Sequence, residues 1–281
     1  MELRGKTAVI TGGASGIGLA TARQFAQSGA NLVLGDIEAG PLAAALESLR
    51  ADGAQVLGVR TDVSVESDVF EMRDQALEAF GAVHLIFNNA GVAAGPAIGT
   101  PKSIWDWVLG VNVNGVINGL NAFVPLFLEQ NEGHVINTGS LAGLGGVPYM
   151  GAYCASKFAV VAISETLFHE LAASGTNVGV SVLCPGFVRT RIHESERNMP
   201  NALKGYNEDP NVQAIAAFAK DAVNAGIDAA VVALAIENAV RTSEFWILPH
   251  AHAAIRTTEQ RLEWMRGGPA PTINLSAATQ P

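Results

Sequence analysis

Cysteine is nearly missing: only Cys154 and Cys184 occur in 281 residues. A disulfide-stapled scaffold and a cysteine-rich metal module are therefore excluded. Both thiols lie in apolar surroundings and read as buried; the competing reading is a redox role for Cys154, next to Tyr153. Cations are also scarce, with 17 Lys and Arg against 26 Asp and Glu and a formal net charge of −9. The few that exist are scattered and form no stripe, which argues against nucleic acid or an anionic membrane as partner and leaves a small neutral or organic ligand. No stretch approaches the roughly 18 uninterrupted apolar residues of a membrane span. The apolar run 7–11 is too short for a signal-peptide core, so a cytoplasmic protein is expected. His84, His134, His250 and His252 lack metal-ligand spacing, and no metal is expected. His169 reads as a buried or interface histidine.

What the chain does have is apolar residues, 49% of the total, arranged in a regular alternation. Short runs at 6–11, 31–36, 55–61, 83–88, 134–137 and 178–183 read as strands, and helix-period stretches at 16–28, 39–52, 64–80, 103–130 and 152–174 fall between or after them. Strands alternating with helices imply an α/β fold with a doubly wound parallel sheet, Rossmann-like, because parallel crossovers need a helix and run right-handed. No linker rich in Pro, Gly or Ser divides the first 190 residues, and 1–266 is expected to be a single domain. Its segment at about 189–225 is polar, contains Pro200 and Pro210, and carries one clear helix near 212–225, which suggests a substrate lid. A helix at 228–241, a strand at 244–248, a C-terminal helix at about 254–266 and a tail from 267 to 281 complete the expected order.

Two local patterns carry chemistry. Directly after the first strand, Thr11-Gly12-Gly13-Ala14-Ser15-Gly16-Ile17-Gly18 opens a helix. Glycines let the backbone approach a pyrophosphate, and a helix N-terminus offers free N–H groups. The spacing departs from G-x-G-x-x-G, and a plain tight turn is the competing reading. Asp36 closes the second strand eighteen residues after Gly18, where a carboxylate accepts hydrogen bonds from ribose hydroxyls. It also repels a 2′-phosphate, by up to about 4 kcal/mol at 4 Å. Ile37 and Glu38 follow with no cation, so NAD is expected over NADP; a helix-capping aspartate is the bland alternative. The second pattern is Tyr153 and Lys157, four residues apart on one helical face, with Ser140 thirteen residues before the tyrosine. An ammonium beside a phenol favours its ionised form and makes it a usable base. A chance surface pair is the alternative reading of those residues alone.

Taken with Thr61-Asp62-Val63, Asn88-Asn89-Ala90-Gly91, Asn112 in Val111-Asn112-Val113, and Pro185-Gly186 leading to Thr190, these motifs resemble the short-chain dehydrogenase/reductase family over about residues 5–190. The resemblance implies Asn112, Ser140, Tyr153 and Lys157 as the catalytic set. Tyr153 would exchange the hydroxyl proton, Ser140 would donate to the substrate oxygen, and Lys157 would tune Tyr153 and hold the ribose hydroxyls. Asn112 would hold a water linking Lys157 to solvent. It further implies NAD contacts from Gly12, Ser15, Gly16, Ile17, Gly18, Asp36, Ile37, Asp62, Val63, Asn89, Ala90, Gly91, Pro185, Gly186, Val188 and Thr190, besides Tyr153 and Lys157. Asp62 is expected at the adenine, the 88–91 segment along the cleft, and Thr190 at the nicotinamide carboxamide.

For the substrate, Ser140, Ala142, Val147, Tyr153, Phe187, Ile192 and His193 are the expected contacts, with Leu141, Tyr149, Met199 and Leu203 as further apolar wall. An apolar, bulky alcohol or ketone suits such a wall. The segment 191–198 and the ending after Leu248 are similar to the subgroup that includes bacterial dehydrogenases of lignin-derived aryl-glycerol ethers, which points to aryl alcohols, with steroid, terpenoid and alicyclic alcohols as rivals. The helix following Tyr153 is apolar nearly all round, so a homodimer or homotetramer is expected. A non-catalytic NAD-binding regulator and a methyltransferase are the competing classes; the complete Ser140, Tyr153, Lys157 and Asn112 set weighs against the regulator, and titration with NAD and with S-adenosylmethionine would separate the methyltransferase.

Overall fold

The computed structural model describes residues 1–205 and 210–271. The expected tail beyond 271 lies outside the described residues, as do four positions of the expected lid. Seven parallel strands form one sheet in the order β3-β2-β1-β4-β5-β6-β7. They are β1 Thr7–Thr11, β2 Asn31–Asp36, β3 Val56–Arg60, β4 Leu85–Asn88, β5 Gly133–Thr138, β6 Val178–Leu183 and β7 Trp246–Ile247. Central strands are buried on both faces, so alternate residues feed two separate cores. Ala8 and Ile10, Leu32 and Leu34, Leu85 and Phe87 enter one core, while Val9, Val33 and Ile86 enter the other.

Helices α1 Gly16–Gln27 and α2 Ala39–Ala51, with α8 Ala229–Thr242, cover the first face. On the second lie α3 Glu66–Phe80, α5 Gly115–Gln130 and α6 Gly151–Ser174. The strand order reverses between β1 and β4. At such a switch point the loops leaving the C-terminal strand ends diverge to opposite faces and leave a crevice, the usual ligand site of an open α/β sheet.

The expected helix over 103–130 is interrupted. Helix α4, Lys102–Leu109, passes through a π-turn at Gly110–Asn114 before α5 begins. Such wide turns shift the register of the side chains that follow. Among the described residues, Lys102–Gln130 alone is long and apolar enough by composition to cross a membrane; here its α5 part packs against α3 and β5. The last strand is shorter than the expected 244–248. It pairs only through Trp246 with Val182 and Ile247 with Leu183, and Pro249, which has no N–H to donate, follows. Helix α9 starts at Ala251 rather than 254 and runs to Met265. The expected lid consists of 3-10 turns at Ile192–Asn198 and Asn201–Leu203, followed by α7, Pro210–Ala225.

Candidate active site

A cavity of about 510 Å³ lies across the C-terminal ends of the strands, beneath the lid. That volume falls within the range of small-molecule sites. One end begins at the glycine loop. Gly12 has φ +62°, and a Cβ there would come within 3.0 Å of the Ala90 backbone, so only glycine fits the approach of this loop to the one after β4. The second loop is pinned from its own side: the Thr11 hydroxyl accepts from the N–H groups of Asn89 and Ala90 at 2.9 and 3.1 Å, and Asn89 Nδ2 donates to the Thr11 carbonyl at 3.0 Å. Ser15, the N-cap of α1, makes no side-chain capping bond. The first-turn N–H groups thus keep their capacity to bind an anion.

Asp36 stands at the tip of β2. Its two carboxylate oxygens each accept one backbone N–H, from Ala14 and from Glu38, both at 3.0 Å. Each oxygen retains lone-pair capacity for a hydroxyl. Burial pushes the Asp36 carboxyl above its ordinary value, against the lowering effect of those two N–H groups and of Arg197. Asp62 directs Oδ1 to the N–H and hydroxyl of Ser64, at 3.0 and 2.6 Å. This chain of a capless helix start, a glycine cradle and a buried carboxylate fits a dinucleotide: diphosphate at the helix, ribose at Asp36.

At the other end α6 brings Tyr153 and Lys157 under Ser140, which leads out of β5. Ser140 Oγ accepts from the Ala142 N–H at 3.1 Å, which fixes the hydroxyl oxygen and leaves its proton free to donate. Lys157 Nζ donates to the Thr138 carbonyl at 2.8 Å and lies 5.6 Å from the centroid of the Tyr153 ring. Burial governs both titrations. It pushes Tyr153 up to about 12, against the opposing effect of Ser140, and it pulls Lys157 down to about 8. The expected lowering of the phenol by the ammonium does not decide its titration here: burial penalises the phenolate, and the ammonium is turned toward Thr138. The thiols of Cys154 and Cys184 are likewise raised by burial, Cys184 to about 12, and stay neutral.

Three expected site residues stand behind the cavity wall rather than on it. Gly18 is buried against Gly12, and a Cβ would overlap the Gly12 carbonyl oxygen. A glycine is needed there for the seating of α1 on the loop. Asn112, in the π-turn, is fully buried with its amide committed: Oδ1 accepts from the Val92 N–H at 2.8 Å, and Nδ2 donates to the Val92 carbonyl and the Ser156 hydroxyl, both at 2.9 Å. Its side chain ties the loop after β4 to α6, and Oδ1 keeps one lone pair. Asn88, expected along the cleft, is also buried and donates to Asn137 Oδ1 at 2.9 Å, joining β4 to β5. The remaining expected cofactor and substrate positions, Gly12, Ser15, Gly16, Ile17, Asp36, Ile37, Asp62, Val63, Asn89, Ala90, Gly91, Ser140, Ala142, Val147, Tyr153, Lys157, Pro185, Gly186, Phe187, Val188, Thr190, Ile192 and His193, all face it. So does Leu141; Tyr149, Met199 and Leu203 do not.

Sequence reasoning missed several walls. Trp107 comes from α4, Met150 precedes α6, and Ile215, Phe218, Ala219 and Val223 come from α7. Phe218 meets Phe187 edge-on, with ring centroids 6.2 Å apart. His250 was missed as well. It is wholly buried, and its Nδ1 accepts from the Gly186 N–H at 3.0 Å, fixing the loop after β6. A signal was present in its place, three residues after a short strand and next to a proline, but its partner comes from 64 residues upstream. Among the described residues no group of three or more His, Cys, Asp and Glu could hold a metal.

The profile of the short chain dehydrogenase family matches residues 6–201. The chain is 43% identical to a short chain dehydrogenase/reductase from Burkholderia phymatum, whose crystal structure in complex with NAD superposes with a TM-score of 0.93, covering 98% of this chain and 99% of that one. It is 33% identical over 254 residues to the C alpha-dehydrogenase of Sphingobium sp. strain SYK-6, covering 89% of this chain and 82% of that protein. It is 39% identical over 212 residues to 3beta-hydroxysteroid dehydrogenase 2 of Eggerthella lenta, covering 73% and 81% respectively. The protein is a member of the short chain dehydrogenase family, an oxidoreductase family of Rossmann-like fold.

Proposed function

We propose that the protein is an NAD-dependent alcohol dehydrogenase that interconverts a bulky, apolar secondary alcohol and its ketone. The observation that carries this reading is the meeting of Ser140, Tyr153 and Lys157 in one cavity with the glycine loop and Asp36. NAD, when bound, supplies the hydride acceptor. The side chains do the rest. Ser140 Oγ donates to the substrate oxygen and sets its distance from Tyr153. Tyr153 Oη takes the hydroxyl proton in oxidation and returns it in reduction. With its proton held tightly in the ligand-free protein, at about 12, Tyr153 is in the state suited to protonate a forming alkoxide. As a base it needs added positive charge nearby, from Lys157 and from the cofactor ring in its oxidised form. Lys157 anchors on Thr138 and has further N–H donors for ribose hydroxyls.

Discrimination of NAD from NADP rests on Asp36, whose carboxylate binds hydroxyls and repels a phosphate. Trp107, Phe187 and Phe218 make an aromatic enclosure suited to an aryl or alicyclic carbinol. The relation to the C alpha-dehydrogenase and to the hydroxysteroid dehydrogenase supports both classes. The test is NADH formation by the purified protein, offered NAD and a panel of aryl, steroid and alicyclic carbinols. Turnover of at least one bulky carbinol is expected, with small sugars and hydroxy acids inert. Inactivity on every bulky carbinol would reject the substrate assignment.

A further inference from the structure

The adenosine end of the cavity holds a cation that the sequence around Asp36 does not reveal. Arg197, from the lid, faces the same end of the cavity as Asp36 and Glu38, although 159 residues separate it from Glu38. Its Nε donates to Glu38 Oε1 at 2.8 Å, and the Asn198 amide donates to the same oxygen at 3.2 Å. On its other edge, Arg197 Nη1 donates to the carbonyls of Arg191 and Glu194, at 2.9 and 3.0 Å. The guanidinium is thus held in place by lid backbone independently of Glu38. Burial raises the Glu38 carboxyl, but the hydrogen bonds from Asn198 and Arg197 outweigh it and hold it below the ordinary carboxylate value. Glu38 is therefore ionised at neutral pH and neutralises Arg197. The other cation there, Arg191, donates to Glu194 at 2.7 Å and is already paired. Asp62, the further carboxylate along this end, is bonded to Ser64.

Counted together, Asp36, Glu38 and Arg197 leave one net negative charge where a ribose 2′ substituent would lie. Without Glu38 the same place would be neutral, with a fixed guanidinium facing the cavity. Guanidinium groups bind phosphate oxygens through paired N–H donors.

We infer that Glu38 is a second determinant of cofactor choice, which works by occupying the Arg197 guanidinium and so withholding a preformed cation from a 2′-phosphate. Asp36 repels that phosphate directly, whereas Glu38 removes the group that would attract it. The lid thereby takes part in selectivity at the end of the cofactor farthest from Tyr153. This inference rests on the dinucleotide reading of the cleft.

The test measures dissociation constants of NADH and NADPH by fluorescence titration, with no substrate and no turnover. Three proteins are compared: the unaltered chain, Glu38→Gln, and Glu38→Gln combined with Arg197→Ala. In Glu38→Gln the NADPH to NADH ratio of dissociation constants should fall about tenfold, mainly through tighter NADPH binding. Adding Arg197→Ala should restore the ratio to near that of the unaltered chain. Retained NADH binding shows that each variant has folded; a variant that loses it is replaced by Glu38→Ser or Arg197→Met. An unchanged ratio in Glu38→Gln would overturn the inference. A gain that persists without Arg197 would also overturn it, because Glu38 would then act by its own repulsion. If the unaltered chain bound neither nucleotide, the dinucleotide reading itself would fail.

Discussion

The two ends of the cavity are built in different ways. At the cofactor end, the groups that face the ligand are backbone N–H groups and short side chains at strand tips, held by bonds such as those from Asn89 and Ala90 to Thr11 and from Ala14 to Asp36. Toward the lid, the walls are apolar side chains from α4, the loop after β6 and α7, and Phe218 is still 40% exposed. A preorganised polar cradle loses little entropy on binding its ligand, and each of its parts is confined to one geometry. An apolar enclosure recognises shape and tolerates variation, since one methylene changes discrimination only by about 1–3 kcal/mol. The first end is therefore confined to one ligand geometry, and the second tolerates variation in what it encloses.

Several substitutions would break that division if it is wrong. Of the three substitutions that probe it, Lys157→Met is expected to act most widely, because Lys157 belongs to both ends. Its loss should lower turnover by about 100-fold or more and also weaken NADH binding; steady-state rates and a fluorescence titration read the two effects separately. Asp36→Ser should act at the cofactor end only. It should weaken NADH about tenfold through lost charge-assisted bonds to ribose, while turnover at saturating NAD stays within a few-fold. Phe218→Ala should do the reverse, raising KM for bulky carbinols roughly three- to tenfold with NADH affinity unchanged. If it shifted NADH affinity as much as KM, the separation of the two ends would be lost.

A smaller effect concerns stability. Lys157 is held at about 8 in the folded protein, below about 10.4 in an unfolded chain. Between those values the unfolded chain binds more protons, so stability rises with pH across that window. Tyr153 has the opposite sign. Its folded value of about 12 lies above about 10 for the unfolded chain. Its contribution is present below pH 10 and is lost as pH rises toward 12. Urea unfolding from pH 7.5 to 10 should show the rise in the unaltered protein relative to Lys157→Met; parallel curves would contradict the burial of a charged ammonium.

The same contrast explains what was legible in the sequence. The sheet, its helices and the cofactor end follow from local signals: alternating cores, a glycine-dense turn after a strand, and an acid at a strand tip. Helical spacing puts Tyr153 and Lys157 on one face, and the resemblance to the family supplied the roles that spacing leaves open. The lid-side wall was not, since Trp107, Ile215 and Phe218 become neighbours only when separate elements dock. Asn112 and Gly18 were found by pattern, but the ties and the close packing they make were not legible from it. The π-turn that carries Asn112 leaves no mark in the apolar periodicity, and the Glu38 to Arg197 pair joins segments on opposite sides of the sequence's midpoint.

The most direct test of the whole account is Tyr153→Phe, which removes one oxygen and little volume. NADH affinity and carbinol oxidation should be measured on the same preparation. The account predicts that affinity stays within about twofold while turnover falls by at least about 1,000-fold. Substantial residual turnover with NADH binding intact would contradict it, since the proton would then be moving through some other group.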